Sequence, residues 1–437
     1  MNSMRPYLIL LTIALLGLNS CAHNAYTPSF MISAPAAPEL TSIHIIDRNG
    51  FSETISNQER LNQYKNVDFL KNQPYQKVLR IYSRDQRSNI KAYITSYHPN
   101  GQPKQYLEVI NNRAYGAYRE WHPNGTKKLE AYVVGGAADL DEMASKTWLF
   151  DGCSQAWDEQ GHLLADIKYS SGALEGLSTY YHANGKVWKV VPHHLGQIEG
   201  TSSIYLEDGS LLQTTDYKNG LKQGVSKRYW DDQRIASEEF YNNGVLSSGR
   251  YYTRCAEFIT DIEDGNGYRA TFNKEGINEL QEYVNGVQEG EVKVFDNQGV
   301  LVSVHHIKNG LKQGEEIEYF EPSHVDDDLT PRLSINWFEG KVQGLVKTWY
   351  PNGVMESQRE MSNNTKNGVL TAWYKNSSIM MLEEYDHDKI VKGEYFAPGE
   401  KLPVSSISNG RGMATIYDNH GNLIRKVFYN NGKPVID

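Results

Sequence analysis

Side chains that could carry chemistry are few in this chain of 437 residues. Histidine is the most versatile of them, and it occurs as two adjacent pairs, His193-His194 and His305-His306. Neighbouring residues on a strand point to opposite faces of a sheet, so neither pair makes a joint metal site unaided. The phosphate loop G-x-x-x-x-G-K-[ST] and the zinc motif H-E-x-x-H do not occur in the sequence. We therefore predict no catalytic or cofactor-binding residues from short motifs.

Two acidic segments have the composition of a cation site. His324 stands beside the acidic run 326–328, and DIEDGNG at 261–267 is similar to part of a calcium loop but lacks EF-hand spacing. We expect the segment with His324 to be a solvated loop and 261–267 not to be a calcium site, and we predict no metal, no cofactor and no small-molecule substrate. An enzyme would need a serine, cysteine and histidine set that folding brings together, which the sequence leaves open. Because the repeats described below rarely form one deep pocket, we expect that the protein is not an enzyme.

Cys21 is the one residue whose chemistry the sequence suggests directly. It follows a single charge, Arg5, and the apolar run YLILLTIALLGL at 7–18, which has the length of a signal-peptide core and is too short to span a membrane. The tetrad LNSC at 18–21 resembles the bacterial lipobox. That resemblance implies removal of residues 1–20 as a signal peptide and acylation of Cys21, with palmitate among the chains. Ordinary signal cleavage and an uncleaved apolar N-terminus are the alternatives.

A lipid anchor predicts a place in the cell envelope. Several acyl chains hold a protein on a membrane, whereas a single chain binds only marginally. No later stretch reaches eighteen apolar residues, so we expect no membrane-spanning helix. Ala22 stands where the usual sorting rule for lipoproteins would need Asp for retention, which implies the outer membrane, on its periplasmic or surface face. A net charge of -9 disfavours nucleic acid as a partner.

Two segments separate the signal peptide from the body of the chain. Residues 21–40 are rich in Pro, Ala and Ser and predict a flexible tether. Residues 41–75 lack the repeat pattern and predict an N-terminal cap, since arrays of repeats need atypical ends. The run SETISNQERLNQYKNVDFL allows one helix there, with Ser52 or Thr54 as its N-cap.

Three marks recur in residues 76–437. The first is a turn that carries Asn-Gly or a relative, as in HPNG at 98–101, and the second is an apolar or aromatic residue two before Asn-Gly, as in YKNG at 217–220. The period is 24 residues between the glycines of successive turns at Gly161, Gly185 and Gly209. A fixed period of this length indicates a repeat architecture. The third mark is a glycine with an aromatic residue five positions later, at Gly116, Gly152, Gly176, Gly200, Gly224, Gly267, Gly290, Gly314, Gly344, Gly368 and Gly412.

The marks predict a continuous antiparallel meander. Asn-Gly supplies the positive φ angles that two-residue hairpin turns require. Between turns, apolar residues such as Leu211 and Tyr217 are six apart and so face the same side of a strand. Tyrosine suits such half-buried faces because its ring is buried while its hydroxyl stays wet. We predict an all-β fold, an elongated open antiparallel sheet (a meander or solenoid) of about twelve β-hairpin repeats of about 24 residues.

Three places break the period. They are residues 137–148, 250–266 and 321–332. Insertions in repeat arrays emerge as loops and often carry specific contacts, so we expect a binding surface there.

Cys153 and Cys255 are about four repeats apart. Each repeat advances by two strands, or about 10 Å, so roughly 40 Å separates the two residues in a straight array. A disulfide needs Cα atoms within about 7 Å of each other. We therefore expect that these cysteines are not bonded to one another and that both are free thiols, buried or partly buried.

Together the marks resemble the MORN repeat, and more closely its bacterial variant. The resemblance covers about 340 residues and implies a long, twisted, open sheet of hairpins with a binding or scaffolding role. Proteins of this variant are often labelled antitoxins of toxin–antitoxin systems. The residues that carry the resemblance are Y-x-x-N-G at 181–185, YKNGLKQG at 217–224, IKNGLKQG at 307–314 and WYPNG at 349–353.

These observations predict a membrane-anchored lipoprotein that acts as a protein-binding or scaffolding repeat module in the cell envelope. Its partners would be an unknown protein and, through the lipid on Cys21, the membrane. One alternative is an antitoxin-like inhibitor that neutralises a partner toxin, although an antitoxin that meets its toxin in the cytoplasm needs no lipobox. Another is a structural envelope protein that contacts the cell wall.

Overall fold

The protein is all-β, as the sequence predicts. In the computed structural model the described residues are 39–230, 233–321, 329–418 and 420–435. They form 35 β-strands and two short helices. Neither helix of these residues is long and apolar enough to cross a membrane. The predictions for the signal peptide at 1–20, for Cys21 and for the tether up to residue 38 lie outside the described residues, as does most of the third insertion.

The described residues belong to two compact units. The first ends at Gly185 and also includes His193–Gly196. The second comprises Lys186–Pro192 and the residues from Gln197 onward. Each unit has its own buried clusters.

The first unit begins with a three-stranded end and continues as a meander. β1 (Glu39–Asp47) lies between β2 (Ser52–Ile55) and β3 (Gln76–Arg84), and helix α1 (Gln58–Tyr64) connects β2 to β3. From β3 onward each strand pairs with the next, through β4 (Ile90–Tyr97), β5 (Pro103–Ile110), β6 (Arg113–Trp121), β7 (Lys127–Gly135), β8 (Leu149–Trp157) and β9 (Leu163–Ser170), and helix α2 (Glu142–Ser145) lies between β7 and β8. The short strands β10 (Ala173–Leu174) and β11 (Gly176–Tyr181) both pair with β9.

The predicted helix in residues 41–75 exists, but its predicted start is wrong. Ser52 and Thr54 lie in β2, because SETI alternates exposed and buried side chains and pairs with β1. The helix starts six residues after Ser52, with Asn57 as its N-cap; the Asn57 side chain accepts hydrogen bonds from the backbone N–H groups of Glu59 and Arg60. Asn ranks with Ser among the strongest N-cap residues.

The second unit is an antiparallel meander in which each strand follows its neighbour along the chain. No described pairing joins the ends of this run, so the sheet is open within the unit, as predicted. Its strands are β12 (Val187–His194, with residues in both units), β13 (Gln197–Ile198), β14 (Gly200–Tyr205), β15 (Leu211–Lys218), β16 (Leu221–Tyr229), β17 (Ile235–Asn242), β18 (Val245–Tyr252), β19 (Phe258–Glu263), β20 (Asn266–Phe272), β21 (Ile277–Val284), β22 (Val287–Phe295), β23 (Leu301–Lys308), β24 (Leu311–Lys312), β25 (Gly314–Tyr319), β26 (Pro331–Phe338), β27 (Lys341–Trp349), β28 (Met355–Ser362), β29 (Thr365–Trp373), β30 (Ile379–Asp386), β31 (Lys389–Tyr395), β32 (Ser405–Ser408), β33 (Arg411–Tyr417), β34 (Leu423–Asn430) and β35 (Lys433–Pro434).

The two Asn-Gly marks form different turns. In the second mark both central residues have positive φ, for example Asn219 at 51° and Gly220 at 79°, as the predicted two-residue turn requires. In the first mark, at 98–101, Gly101 alone has positive φ, and its N–H donates to the carbonyl oxygen of His98. That is a longer turn with one left-handed glycine, so the prediction of a two-residue turn is wrong for the first mark.

The third mark is a β-bulge at positions such as Gly116, Gly224, Gly290, Gly344 and Gly368, whereas Gly267 and Gly412 lie in regular hairpin pairs with Ile262 and Ile407. All its glycines have positive φ, from 70° at Gly152 to 146° at Gly412. Around Gly116 the pairing shifts register, because Leu107 pairs with Tyr118 whereas Val109 pairs with Ala114. A glycine in this conformation avoids the Cβ penalty that other residues incur, which explains the recurrence of glycine here.

The core of the first unit lies on both faces of its sheet. One face near α1 buries Ile43, Ile55, Leu61, Leu79 and Tyr97. Farther along, the opposite face buries a second cluster, made of Ala92, Ile94, Leu107, Val109, Ala114, Tyr118, Val133 and Trp148. The helix thus covers one face only at the start of the meander.

Two of the insertions contribute to the cores instead of projecting as free loops. In 137–148, Trp148 is buried, and its indole N–H donates to the carbonyl oxygen of Ala137 at 2.8 Å. In 250–266, β19 continues the meander and buries Ile262. Of 321–332, residues 322–328 lie outside the described part of the chain, so the predicted contacts there stay a prediction.

Cys153 and Cys255 are not bonded to one another, as predicted. Cys255 is a free thiol. Two finer predictions are wrong: Cys255 is exposed, because it lies in the turn between β18 and β19, and Cys153 is not a free thiol.

Candidate functional site

Backbone and side-chain hydrogen bonds tie each repeat to the next along the edge where the two-residue turns lie. Gln223 precedes a bulge glycine, and its side chain accepts from the N–H of Asn243 in the following turn at 2.8 Å. The N–H of Gly244 donates to the carbonyl oxygen of Lys222. Four more side chains accept the same hydrogen bond from a turn N–H: Glu199 from Asn219, Glu289 from Asn309, Gln313 from Glu339 and Gln343 from Asn363. These hydrogen bonds explain why Gln or Glu precedes the glycine. The recurrence of Gln or Glu at this position is visible in the sequence and could have predicted the bonds.

A second repeated device supports the bulges. Eight residues before several of the bulge glycines stands a carboxylate that accepts a hydrogen bond from the N–H after the glycine. Glu282 accepts from Glu291 N–H at 2.7 Å, for example. The other pairs are Glu108 with Ala117, Asp216 with Val225 and Glu360 with Val369. Both devices fix the backbone, so they make the array a rigid support for exposed side chains.

An exposed apolar row follows the turn edge of the second unit. Its members, called here the turn-edge row, are between 45% and 60% exposed, and most of them directly follow a turn glycine. Leu221, Val245 and Leu311 each reach over the glycine of a later turn (Gly244, Gly286 and Gly340): a Cβ placed on Gly340 would lie 3.4 Å from Cδ2 of Leu311. Glycine at the turns therefore leaves room for the neighbouring apolar side chain. The turn-edge row consists of Leu221, Val245, Val287, Leu311 and Phe338.

A hollow of about 230 Å³ opens within the turn-edge row. Leu311 and Phe338 line it together with Lys308, Gln313 and Glu339. Its volume matches one large apolar side chain, and its rim is polar. Such a hollow is suited to an anchoring side chain of a partner protein.

Two buried carboxylates occur in twin settings 144 residues apart in sequence. Glu239 and Glu383 are 4% and 8% exposed. Each begins the pattern E-x-Y-x7-G-x-Y, at 239–251 and 383–395. The second tyrosine hydroxyl reaches the carboxylate over the glycine, where a Cβ would not fit: Tyr251 Oη lies 2.5 Å from the Cβ position of Gly249. The duplicated pattern is visible in the sequence, but the pattern alone does not indicate that its carboxylate is buried.

The two glutamate sites differ in whether an arginine is paired with the carboxylate. Glu239 accepts from Arg269 Nε at 2.7 Å and from the hydroxyls of Tyr241 and Tyr251 at 2.8 and 3.0 Å. Burial opposes the charge on Glu239, but Arg269 and the two hydroxyls outweigh it, so the pKa of this carboxyl lies below its ordinary value. Burial and the charge of Glu239 raise the pKa of Tyr251.

The second twin has the hydroxyls without the guanidinium. Glu383 accepts from Tyr385 at 2.9 Å and from Tyr395 at 2.7 Å. When Gly267 and Gly412, two glycines of the third mark, are aligned, Ala414 takes the position of Arg269. Within the described residues no ion pair joins a cation to Glu383.

A group of tyrosines lies on the face of β4–β8 opposite the core of the first unit. Tyr93 pairs across strands with Glu108, and its ring lies parallel to that of Tyr106, with 6.2 Å between centroids. The rings of Tyr115 and Tyr132 contact edge to face at 6.1 Å, and both side chains are exposed. We call these four rings and Glu108 the tyrosine platform.

The sequence-predicted histidines do not come together. His194 and His306 are exposed on their strands, and their neighbours His193 and His305 are half-buried, as alternation requires. Burial first, and then the charge of Lys312, lowers the pKa of His305. No group of three His, Cys, Asp or Glu that could hold a metal occurs among the described residues.

The two acidic segments have different outcomes. Residues 261–267 form the hairpin between β19 and β20, in which Asp264 and Gly265 have the positive φ angles of a two-residue turn. His324 and 326–328 lie outside the described residues.

The hairpins, bulges and ladders define an open β-repeat array. The family model described as MORN repeat variant matches residues 174–194 and 342–363, so these two segments are MORN repeat variants, as the sequence motifs predict. No curated protein is significantly similar to the chain.

One solved structure similar to part of the chain is a porin-like protein from Bacteroides uniformis ATCC 8492. The match has 12% sequence identity and a TM-score of 0.13, and it covers 56% of this chain and 95% of that one. A likeness of this degree carries no argument about fold or function.

Proposed function

We propose that the chain is a lipid-anchored, protein-binding scaffold of the cell envelope. The observation that carries the proposal is the turn-edge row, which exposes apolar side chains at five turns along one edge of a hydrogen-bonded backbone. Contiguous exposed apolar residues rimmed by polar ones mark interaction sites in soluble proteins. Lys308 and Glu339 supply such a rim around the hollow between Leu311 and Phe338.

The arrangement supports binding of a protein more than of a small molecule. The row repeats from turn to turn, so a partner can contact several members at once. Its hollow holds one side chain, whereas drug-sized ligands occupy larger cavities of about 300–1,000 Å³. MORN repeats are repeat modules, and repeat arrays present extended surfaces to partners.

Substitutions in the turn-edge row test the binding role. We expect the double variant Leu311→Gln, Phe338→Gln to lose at least about 90% of a partner that the wild-type chain captures from membranes, because anchors in a central pocket dominate interface energies. Quantitative mass spectrometry after affinity capture measures the loss. Leu402→Gln is the matched control, since Leu402 is 79% exposed and stands outside the row. Equal capture by the double variant and the control would contradict the proposal.

The lipid anchor is a separate part of the proposal, and it rests on the sequence LNSC at 18–21. We expect wild type in the membrane fraction, with Cys21 as the first residue and an added mass of several acyl chains. Cys21→Ala should stay unprocessed or be released. The intact mass is measured before and after reduction, because a thioether-linked lipid survives reduction and a disulfide does not. Identical fractionation of both forms as soluble proteins would rule out the anchor.

A further inference from the structure

We infer that the tyrosine platform of the first unit binds a cationic segment, rich in Arg or Lys, of a partner protein. The inference rests on the proposed protein-binding role and names a second surface for it, together with the chemistry of the partner. It concerns β4–β8, whereas the turn-edge row lies in the second unit. The surface joins aromatic rings to a carboxylate that has no cation of its own.

Cross-strand register brings the platform together. Tyr93 on β4 pairs with Glu108 on β5, and Tyr106 is on the same face of β5 two residues before Glu108. Beyond β6, Tyr132 pairs with Ala117 and with Asp151 on β8. Side chains two apart on a strand, and directly opposite across strands, share one face. Four consecutive hairpin strands therefore contribute to a single surface.

Glu108 is the centre of this surface. Its Oε1 accepts from the Tyr106 hydroxyl at 3.0 Å, and its Oε2 accepts from Ala117 N–H at 3.0 Å. Burial and then the charge of Glu108 raise the pKa of Tyr93, which confirms that the carboxylate lies close to that ring. In the described part of the chain no Lys, Arg or His forms an ion pair with Glu108. Two carboxylate oxygens thus keep acceptor capacity beside exposed aromatic faces.

An internal example shows how a cation sits on this surface. The Arg119 guanidinium lies 5.8 Å from the centre of the Tyr106 ring, and its Nε donates to Glu130 at 2.9 Å. A guanidinium over a tyrosine, held by a carboxylate, is the geometry expected for cation–π recognition. Tyr115 and Tyr132 offer the same chemistry beside Glu108 and Asp151, and no cation of the described residues lies over their rings. Charge complementarity therefore favours a basic partner over an acidic or neutral one.

The access to the platform follows from the arrangement of the cap. Helix α1 packs Leu61 against this side of the sheet near β1–β4, with Leu79 and Tyr97 in the same cluster. Tyr115 and Tyr132 are 43% and 42% exposed, so the cap does not cover them. The core of the unit uses the other face of β4–β8, which leaves the rings free of a packing role.

The test uses the full chain in detergent and two fluorescent twelve-residue peptides, one alternating Arg and Ser and one with citrulline in place of each Arg. We expect the Arg peptide to bind and the citrulline peptide not to bind, because citrulline keeps the shape and loses the charge. Tyr132→Leu and Glu108→Gln should each weaken Arg-peptide binding about 3- to 30-fold, since a cation–π contact contributes roughly 0.5–2 kcal/mol. Glutamine keeps an oxygen for the Ala117 N–H. Tyr75→Leu, 78% exposed and off the platform, is the control that should bind like wild type.

Several results would overturn the inference. These are equal binding of both peptides, unchanged binding in both platform variants, and a cell-wall glycan fragment that binds at the tyrosines while the Arg peptide does not. Melting curves confirm that the variants are folded, and Tyr132→Leu alone decides if Glu108→Gln unfolds. Failure of the Arg peptide with intact capture by the turn-edge row would reject this surface and leave the proposed function standing. Loss of capture in the Leu311→Gln, Phe338→Gln variant with intact peptide binding would do the reverse.

Discussion

Glu239→Gln is expected to destabilise the second unit by about 3–5 kcal/mol, whereas Glu383→Gln is expected to change its stability by about 1 kcal/mol or less. Removing one partner of a buried ion pair leaves the other charge uncompensated, which accounts for the first value. The guanidinium of Arg269 would then face a neutral amide, with 26% of its side chain exposed to water. Both substitutions replace the same glutamate of the pattern E-x-Y-x7-G-x-Y, so the two sites serve as controls for each other.

The twin site is expected to lose little because, within the described residues, the neighbouring cation Lys366 lies 4.7 Å from the centre of the Tyr385 ring and forms no ion pair with Glu383. Glu383 is held by the hydroxyls of Tyr385 and Tyr395, and a hydroxyl can donate to the amide oxygen or accept from the amide nitrogen. Ala414 occupies the position of Arg269 and packs in the cluster that contains Tyr395 and Met381. Replacing a buried charge that lacks a cation by a neutral group also ends a desolvation cost. The weaker hydrogen bonds to a neutral amide and the removal of the desolvation cost oppose each other, so the net change in the free energy of unfolding is small.

Urea unfolding of both variants and wild type measures the difference, with amide hydrogen exchange on β17–β18 and β30–β31 to locate it. Arg269→Leu in the Glu239→Gln background provides a control, because removing the orphaned charge should recover part of the loss. Equal destabilisation by the two glutamine substitutions would show that Arg269 does not determine the difference.

Acid should remove the advantage of wild type over Glu239→Gln. The pKa of Glu239 is lowered in the folded protein, so the carboxylate contributes stability that is fully present above the pKa of the unfolded chain. That stability is lost as the pH falls through the lower, folded-state pKa. The difference in unfolding free energy between the two proteins should therefore shrink in acid, and unfolding curves recorded from neutral pH downward measure it. A pH-independent difference would contradict this assignment.

Local turn chemistry was the part of the fold that the sequence could predict. In the second mark both turn residues have positive φ, so Asn219-Gly220 and its relatives identified the two-residue hairpins without knowledge of their neighbours. Helix α1 was placed too early because Ser52 is also a good N-cap; the pairing of SETI with β1, which is non-local, decided the outcome.

The candidate surfaces needed strand register, which the sequence did not supply. The sequence shows Leu or Val directly after Asn-Gly at Leu221, Val245, Val287 and Leu311. The alternation of apolar and polar residues predicts which face of the sheet a side chain lies on, but it does not predict that a side chain at the turn edge is exposed. In the tyrosine platform, strand pairing places Tyr93 opposite Glu108 and brings Tyr132 close to them. This placement depends on bulges that shift the register between strands, and no local sequence motif gives the size of those shifts. A one-residue slip in register would exchange the faces, so the platform could not be assigned before the structure.

Gly267→Ala is expected to cost about 3 kcal/mol or more, and Gly314→Ala about 1–2 kcal/mol. Both glycines belong to the third mark and have positive φ, 132° and 79°, so both substitutions incur the penalty of a left-handed alanine. The surroundings differ. A Cβ on Gly267 would collide with the carbonyl oxygen of Asp261 and lie 3.2 Å from Cα of Ile262, whereas a Cβ on Gly314 has nothing within 4 Å.

The difference between the two alanine variants therefore reports the backbone contact at Gly267 together with its larger φ angle. Because the obstructing atoms are backbone, β19 would have to move, and the Ile262–Gly267 pair, one of the two pairs between β19 and β20, would be lost with it. Unfolding in urea measures both variants on the same unit, and hydrogen exchange at β19–β20 should rise in Gly267→Ala alone. Gly412→Ala provides an independent repeat, since its Cβ would collide with the carbonyl oxygen of Ser406 and lie 2.8 Å from Cα of Ile407. If all three variants lost equal stability, the recurrence of glycine would follow from the φ angle alone, and close packing between neighbouring strands would have no part in it.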